Sequence, residues 1–119
     1  MISDLTTIES LFLSYRDGTK KPHDVVAKFL EKIESLNAYY SAYQSVWKEE
    51  AMAAAELATK ALAAGHDLGP LHGVPFALKD IFHVTDKVTT CGAVELNQNM
   101  ASVTATVVRR LVNAGAIIL

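Results

Sequence analysis

The sequence is poor in cysteine, proline and basic clusters. It has one cysteine and three prolines in 119 residues, and eleven Lys and Arg stand against thirteen Asp and Glu. A single cysteine excludes an internal disulfide and a CxxC metal site, and it fits a reducing compartment, so we expect a cytoplasmic protein. No basic block is longer than two residues, so nothing predicts direct binding of nucleic acid through its phosphates.

Long hydrophobic runs and metal-binding patterns are also lacking. No apolar run approaches the roughly 20 residues that cross a bilayer, so no membrane partner is expected. His66, His72 and His83 do not have the spacing of a known zinc site, which leaves turn or surface positions as the expected ones. Half of the residues are hydrophobic and a fifth are charged, which is typical of a globular protein.

Three helical patterns fill the first part of the chain. Thr6 and Glu9 form a T-x-x-E capping box ahead of a short amphipathic helix. A second helix is predicted from Pro22 to Asn37, because proline suits a first helical position and an apolar stripe follows it. A third, from about 45 to 64, is rich in alanine. Its small side chains predict close packing against bulkier neighbours.

Strand and turn patterns replace the helices after residue 65. The sequence predicts about three short strands, with a last helix capped by Thr104 before the strand "AIIL", and a helix followed by an apolar strand predicts an α/β fold. We assign 1–119 to one domain, with a helical part over about 1–65 and an αβ part over about 66–119. Because no element follows "AIIL", we expect the N-terminal portion of a longer protein.

One lysine stands inside an apolar run, "GVPFALKDIF" (73–82). In an extended segment Val74, Phe76 and Leu78 would share one face, and Lys79 would lie on the other. Burying an ammonium ion is costly unless it is paired or loses its proton. Lys79 could therefore snorkel or pair with a carboxylate, or it could be a neutral amine that acts as a general base or nucleophile. The residues alone leave both open.

Other polar and aromatic residues near this run favour structural roles. Asp80 is expected to bond backbone N–H groups, because adjacent strand residues face apart. Cys91 is expected to be a small buried side chain, since no histidine is spaced to activate it. Four aromatic residues precede the third helix, where packing between helices is the default and a partner-binding patch is the alternative. They are Tyr39, Tyr40, Tyr43 and Trp47.

Three segments in order carry a family resemblance. They are "GPLHGVPFALKD" (69–80), "VTTCGA" (88–93) and "TATVVRRLVNAGAIIL" (104–119). Together they resemble the amidase signature family, whose members show G-x-P-x-x-x-K-D, then T-T-x-G-S, then a helix of the type D-A-T-V-V-x-R-L-x-x-A-G-A-x-x-L. The resemblance covers essentially the whole chain.

The resemblance implies a fold and an activity. The fold would be α/β, with N-terminal helices followed by the first strands and a crossover helix of an incomplete amidase signature domain. Lys79 would be the general base of a Ser–cisSer–Lys triad that cleaves a small-molecule linear carboxamide through an acyl-enzyme. Neither a metal nor an organic cofactor is implied, and the full-length form could be a homodimer. Both serines would lie beyond residue 119, so the isolated chain is expected to be inactive.

The sequence departs from the family pattern at three places. Ala93 replaces a serine, Thr104 replaces an aspartate, and Lys21 stands where a serine usually caps the second helix. One alternative within the family is the A subunit of a glutamine-dependent aminoacyl-tRNA amidotransferase. Another, of a different class, is a truncated interaction module whose helices pack on a partner. If the final strand lacks a partner, the isolated chain is expected to aggregate or to be partly molten.

Overall fold

The structure is a computed structural model that describes residues 6–119. Residues 1–5, which the predicted helical part included, lie outside this range. The elements in chain order are α1 (Ile8–Arg16), α2 (Pro22–Tyr40), α3 (Lys48–Ala63), β1 (Pro75–Phe76), a 3-10 helix (Val94–Leu96), α4 (Thr106–Asn113) and β2 (Ile117–Ile118). Across residues 6–119, no helix combines the length and apolar character that crossing a membrane requires.

The capping box of α1 lies one residue later than predicted. The Thr7 hydroxyl accepts a hydrogen bond from the Ser10 N–H at 3.0 Å, and the Ser10 hydroxyl accepts one from the Thr7 N–H at 2.9 Å. The prediction that Thr6 and Glu9 form the box is therefore wrong. A serine takes the third helical position, and its short side chain reaches back to the cap as a glutamate would.

The second helix begins at Pro22 as predicted, but it continues past Asn37 to Tyr40. The Asn37 side chain binds the following loop, donating from Nδ2 to the Tyr43 carbonyl and accepting from the Tyr43 N–H, both at 2.8 Å. The helix ends where Ser41 adopts a φ of +50°. At its start, Lys21 makes no capping bond, which agrees with the weak cap expected from the missing serine.

The alanine-rich helix packs as predicted against bulkier residues. Its buried stripe faces apolar side chains of α2 and β2 in one cluster. The buried members of this cluster are Val26, Leu30, Ala51, Ala55, Ala58, Ile117 and Leu119. The alanines recur at spacings of four and three, so they form one small-residue face that lets helix and strand approach closely.

The two strands pair in parallel. Pro75 lies opposite Ile117, and the Ile117 N–H donates to the Val74 carbonyl at 2.8 Å. Since α4 lies between these parallel strands in the chain, the predicted αβ arrangement is confirmed. The third predicted strand is reduced to an isolated antiparallel bridge between Val88 and Met100.

The cap of α4 differs from the prediction. Ala105 is the N-cap and contributes no side-chain bond, so the prediction that Thr104 caps this helix is wrong. The Thr104 hydroxyl instead accepts a hydrogen bond from the Thr85 N–H at 3.0 Å. It thereby connects the start of α4 to the segment that follows the lysine.

The aromatic residues before α3 divide into two groups. Tyr39 and Tyr40 are 83% and 65% exposed at the end of α2, so the prediction that they pack between helices is wrong. Tyr43 and Trp47 are half-buried. These two side chains line a cavity at the end of the sheet.

Candidate active site

Lys79 lies three residues beyond the end of β1, where the chain leaves the sheet. The predicted alternation holds from Ala77 to Lys79, where Leu78 is half-buried between two exposed residues, but not within the strand, where Pro75 and Phe76 are both half-buried. The regular strand, however, covers only Pro75–Phe76, and the backbone turns at Asp80. The lysine therefore stands at the carboxyl end of the sheet and is not buried within it.

The backbone of Lys79 is held firmly even though its side chain is exposed. Its carbonyl oxygen accepts hydrogen bonds from the Ile81 N–H at 2.7 Å and from the Phe82 N–H at 3.2 Å. Two bonds to one carbonyl fix the turn, so the root of the lysine side chain has a defined position.

A cavity of about 640 Å³ opens beside the lysine. Four segments form its walls: the loop between α2 and α3, the residues that follow β1, residues 87–90 together with Asn97, and the end of β2. Its polar, charged and aromatic lining residues include Tyr43, Gln44, Trp47, Lys79, Asp80 and Thr90. The carboxyl ends of both parallel strands thus meet at one cavity, which is the usual place for ligands in α/β sheets.

The charged side chains on the cavity wall are Lys79, Asp80 and Lys87. Lys87 forms an ion pair with Glu50 and lies 4.9 Å from the centre of the Trp47 ring. This pair lowers the pKa of the Glu50 carboxyl, chiefly through the hydrogen bond from Lys87. Within the part of the chain that the structure describes, the Lys79 ammonium makes no ion pair or hydrogen bond.

Asp80 has the structural role that the sequence predicted. Its Oδ1 accepts from the Thr90 N–H at 2.9 Å, its Oδ2 accepts from the Thr90 hydroxyl, and its backbone carbonyl accepts from the Cys91 N–H at 2.9 Å. The two bonds from Thr90 lower the pKa of the Asp80 carboxyl. The aspartate therefore joins the lysine turn to the 88–93 segment.

The structure adds Gln44, which sequence reasoning missed. Its side-chain nitrogen lies 3.3 Å from the Thr90 hydroxyl, so the loop after α2 reaches the same threonine. No motif or spacing in the sequence marks this glutamine, because 46 residues separate it from Thr90.

The expectation for Cys91 is wrong, and the one for the histidines holds with one addition. Cys91 is exposed and has a φ of +52°, so it is not a small buried side chain. His72 lies in a turn, as expected, but its side chain is only 4% exposed, whereas His66 and His83 are exposed as predicted. Among residues 6–119, no group of three or more His, Cys, Asp or Glu side chains could hold a metal ion.

The turn at Ala93 closes without the serine of the family pattern. The Ala93 N–H donates to the Thr90 carbonyl at 2.8 Å, and the Gly92 N–H donates to the Thr90 hydroxyl at 3.1 Å. Backbone groups and Thr90 therefore supply the bonds that hold this turn.

Known proteins share both the sequence pattern and its extent along the chain. The family model described as Amidase matches residues 24–119. Among curated proteins, the chain is 38% identical over 121 residues to the A subunit of the glutamyl-tRNA(Gln) amidotransferase of Mycolicibacterium gilvum (strain PYR-GCK), and the match covers 99% of this chain. The chain spans only 24% of the length of that relative.

Solved structures show the same likeness. An amidase of known crystal structure is 26% identical, with a TM-score of 0.82 over 96% of this chain and 26% of that one. The native peptide amidase of Stenotrophomonas maltophilia gives a TM-score of 0.82 over 98% of this chain and 24% of that one, and its 24% identity supports the fold alone. The arrangement of helices and strands therefore matches that of amidases over nearly the whole chain.

Proposed function

The chain belongs to the amidase signature family, and from that membership we propose that it carries the general base of an enzyme that hydrolyses the carbon–nitrogen bond of a carboxamide. One observation supports this most strongly. Lys79 lies on the wall of a cavity of about 640 Å³ at the carboxyl ends of both strands, and its ammonium has no carboxylate partner among residues 6–119. A base has to be free to exchange its proton, whereas a structural lysine would be expected to have a partner.

The proposed chemistry needs two serines from sequence beyond residue 119. The neutral amine of Lys79 would accept a proton through the middle serine, while the nucleophilic serine attacks the amide carbonyl and forms an acyl-enzyme. The amine leaving group takes a proton, and water then releases the acid. Covering of the cavity by that additional sequence would remove water from around Lys79, which favours the neutral amine.

The substrate class follows from the walls of the cavity. Tyr43, Trp47 and Phe82 offer apolar and aromatic surface, and a few polar groups lie among them. Such a surface suits a small molecule with a linear carboxamide and an apolar part. We propose this substrate class for the full-length protein. We also propose that the full-length protein acts in the cytoplasm, needs no cofactor and forms a homodimer.

A second candidate function comes from the curated relative. The match to the A subunit of an amidotransferase runs over 99% of this chain at 38% identity. In that case Lys79 would serve the hydrolysis of glutamine, and the ammonia released would amidate an aminoacyl-tRNA. The two candidates share the lysine and differ in the acceptor of the nitrogen.

The test compares two lysine variants of the full-length protein. Lys79→Ala should lower the rate of carboxamide hydrolysis by about a hundredfold or more, because a general base contributes this much. Lys20→Ala is the matched control, since Lys20 is also exposed and lies before α2, outside the lining of the cavity. Full turnover by Lys79→Ala would overturn the assignment of the base.

The substrate panel separates the candidates. Simple carboxamides hydrolysed by the protein alone support the amidase. Glutaminase activity that requires partner proteins and an aminoacyl-tRNA supports the amidotransferase. If no carboxamide or glutamine is hydrolysed under either condition, the non-catalytic interaction module is the remaining function.

A further inference from the structure

The residue that follows the candidate base is an aspartate whose carboxylate is engaged in hydrogen bonds. Asp80 directly follows Lys79, and an exposed lysine side chain is long and flexible enough to reach a neighbouring carboxylate. Yet the two carboxylate oxygens of Asp80 accept hydrogen bonds from the backbone N–H and the hydroxyl of Thr90. One threonine therefore satisfies both oxygens of this carboxylate.

Thr90 is well placed for this role. It is 7% exposed, so its hydroxyl is sheltered from competing water. The same hydroxyl accepts from the Gly92 N–H at 3.1 Å and lies 3.3 Å from the Gln44 side-chain nitrogen. These contacts hold the hydroxyl from its own turn and from the loop after α2. The hydroxyl donates to Oδ2 of Asp80, and Oε1 of Gln44, at 3.4 Å, is a more distant acceptor. Hydrogen bonds to an ionised carboxylate are stronger than those between neutral groups, so the arrangement is stable.

An ion pair between Asp80 and Lys79 would oppose the proposed chemistry. A carboxylate within about 4–6 Å of an ammonium ion stabilises the charged form and makes the amine a poorer proton acceptor. The other charges on the cavity wall do not have this effect, because Lys87 is positive and its partner Glu50 is bonded to it. Among the residues that line the cavity, Asp80 thus carries the one side-chain carboxylate that could pair with the Lys79 ammonium.

We propose that Thr90 is a positioning residue that holds the Asp80 carboxylate away from the Lys79 amine and so keeps this amine unpaired. The proposal rests on the proposed function for its importance in catalysis, but the placement of the charge can be measured without any turnover. The second threonine of "VTTCGA" would then do more than hold its own turn, because it would also control which way the Asp80 carboxylate points.

The experiment measures how fast Lys79 is acylated by an N-hydroxysuccinimide ester at pH 8 in the full-length protein. Peptide mass spectrometry quantifies the label, and Lys20 in the same molecule is the internal reference. Thr90→Val removes the hydroxyl at constant shape and leaves only the backbone N–H of residue 90 on Oδ1 of Asp80. The freed Oδ2 can then turn to the ammonium, so this variant should slow Lys79 relative to Lys20 by roughly threefold or more. Thr90→Ser keeps a hydroxyl and should retain the original rate.

Removal of the charge provides the decisive control. Thr90→Val combined with Asp80→Asn should restore the rate of Lys79, since no carboxylate remains to pair with it. Asp80→Asn alone should change the rate by less than about twofold, because a carboxylate already turned away and screened by solvent contributes little. An unchanged rate in Thr90→Val, or a large acceleration in Asp80→Asn alone, would overturn the proposal. The rate measured in Asp80→Asn alone does not depend on whether the threonine variant folds.

Turnover by the full-length protein gives an independent readout. Thr90→Val should move the acidic limb of the pH–kcat profile to higher pH, and the double variant should move it back. A purely structural role would lower activity at all pH values without moving this limb. If Lys79→Ala proves fully active, the proposed function fails while the acylation result still stands or falls by itself.

Discussion

The Tyr15 hydroxyl donates a buried hydrogen bond of 3.0 Å to the carbonyl oxygen of Gly73, 58 residues away. On its other side, the Gly73 N–H donates to the Gly115 carbonyl at 2.9 Å. Burial raises the pKa of Tyr15, so the hydroxyl remains a donor over the whole physiological range. Gly73 therefore joins α1 to the segment before β2, six residues before Lys79.

Loss of this hydroxyl should destabilise the chain. We expect Tyr15→Phe to lower the free energy of unfolding by about 1–3 kcal/mol, since it leaves the buried Gly73 carbonyl without this donor. Tyr40→Phe is the matched control, because Tyr40 is 65% exposed. Urea unfolding followed by circular dichroism measures both. Equal stabilities of the two variants would show that the hydrogen bond does not contribute.

Gly73 is also required for its missing side chain. A Cβ atom there would lie 2.6 Å from the Cγ of Pro22, and the φ of Gly73 is +79°. Gly73→Ala should therefore destabilise the chain by strain and by the clash with the first residue of α2. Gly65→Ala separates these effects, because Gly65 has a φ of +80° and open space around its Cβ position. Strain alone costs on the order of 1 kcal/mol, so Gly73→Ala should lose clearly more than Gly65→Ala in the same unfolding experiment.

The alanine face of α3 sets the distance to α2 and β2. Ala55 is completely buried, so Ala55→Leu should force these elements apart and lower the free energy of unfolding by about 1–3 kcal/mol. Ala53→Leu introduces the same side chain at an exposed position of the same helix and should change stability little. The midpoints of thermal unfolding give the comparison. Tolerance of leucine at position 55 would contradict the close packing.

Patterns with a strong local cause were predictable from the sequence. The proline at the start of α2, the alanine face of α3 and the apolar strand after α4 each follow from spacing and chemistry within a short window. The alternation around Lys79 also held, because side-chain direction in an extended segment depends only on the backbone.

The remaining features depend on contacts between distant segments. Thr104 was expected to cap α4, but its hydroxyl binds Thr85. Asp80 was expected to bond backbone groups, yet nothing in the sequence identified Thr90 as its partner or Gln44 as the next residue in the network. His72 is buried because Gly115 lets the chain approach it, and a Cβ at Gly115 would lie 2.9 Å from the His72 Cα. Such pairings arise only once the chain is folded.

His72 makes the stability of the fold depend on pH. Its Nδ1 accepts a hydrogen bond from the Leu68 N–H at 3.1 Å, which the protonated ring cannot do. Burial lowers the pKa of His72 below its ordinary value of 6.5, against the opposing effect of Asp67. The unfolded chain therefore binds more protons than the folded one between the two pKa values. The stability from the neutral ring is complete above about pH 6.5 and is lost as the pH falls from there through the lower pKa of the folded state.

We expect the free energy of unfolding to decrease as the pH falls from about 7.5 to about 5.5, a window above the range where ordinary carboxyl groups titrate. His72→Asn should flatten this dependence, because the asparagine Oδ1 can still accept from Leu68 but does not gain a proton. His66→Asn, at an exposed position, should retain the slope of the original chain. Urea unfolding at several pH values across this window measures all three proteins. Slopes are compared in place of absolute stabilities, since asparagine is smaller than histidine and lowers the stability at every pH. An unchanged slope in His72→Asn would place the origin of the pH dependence at another group.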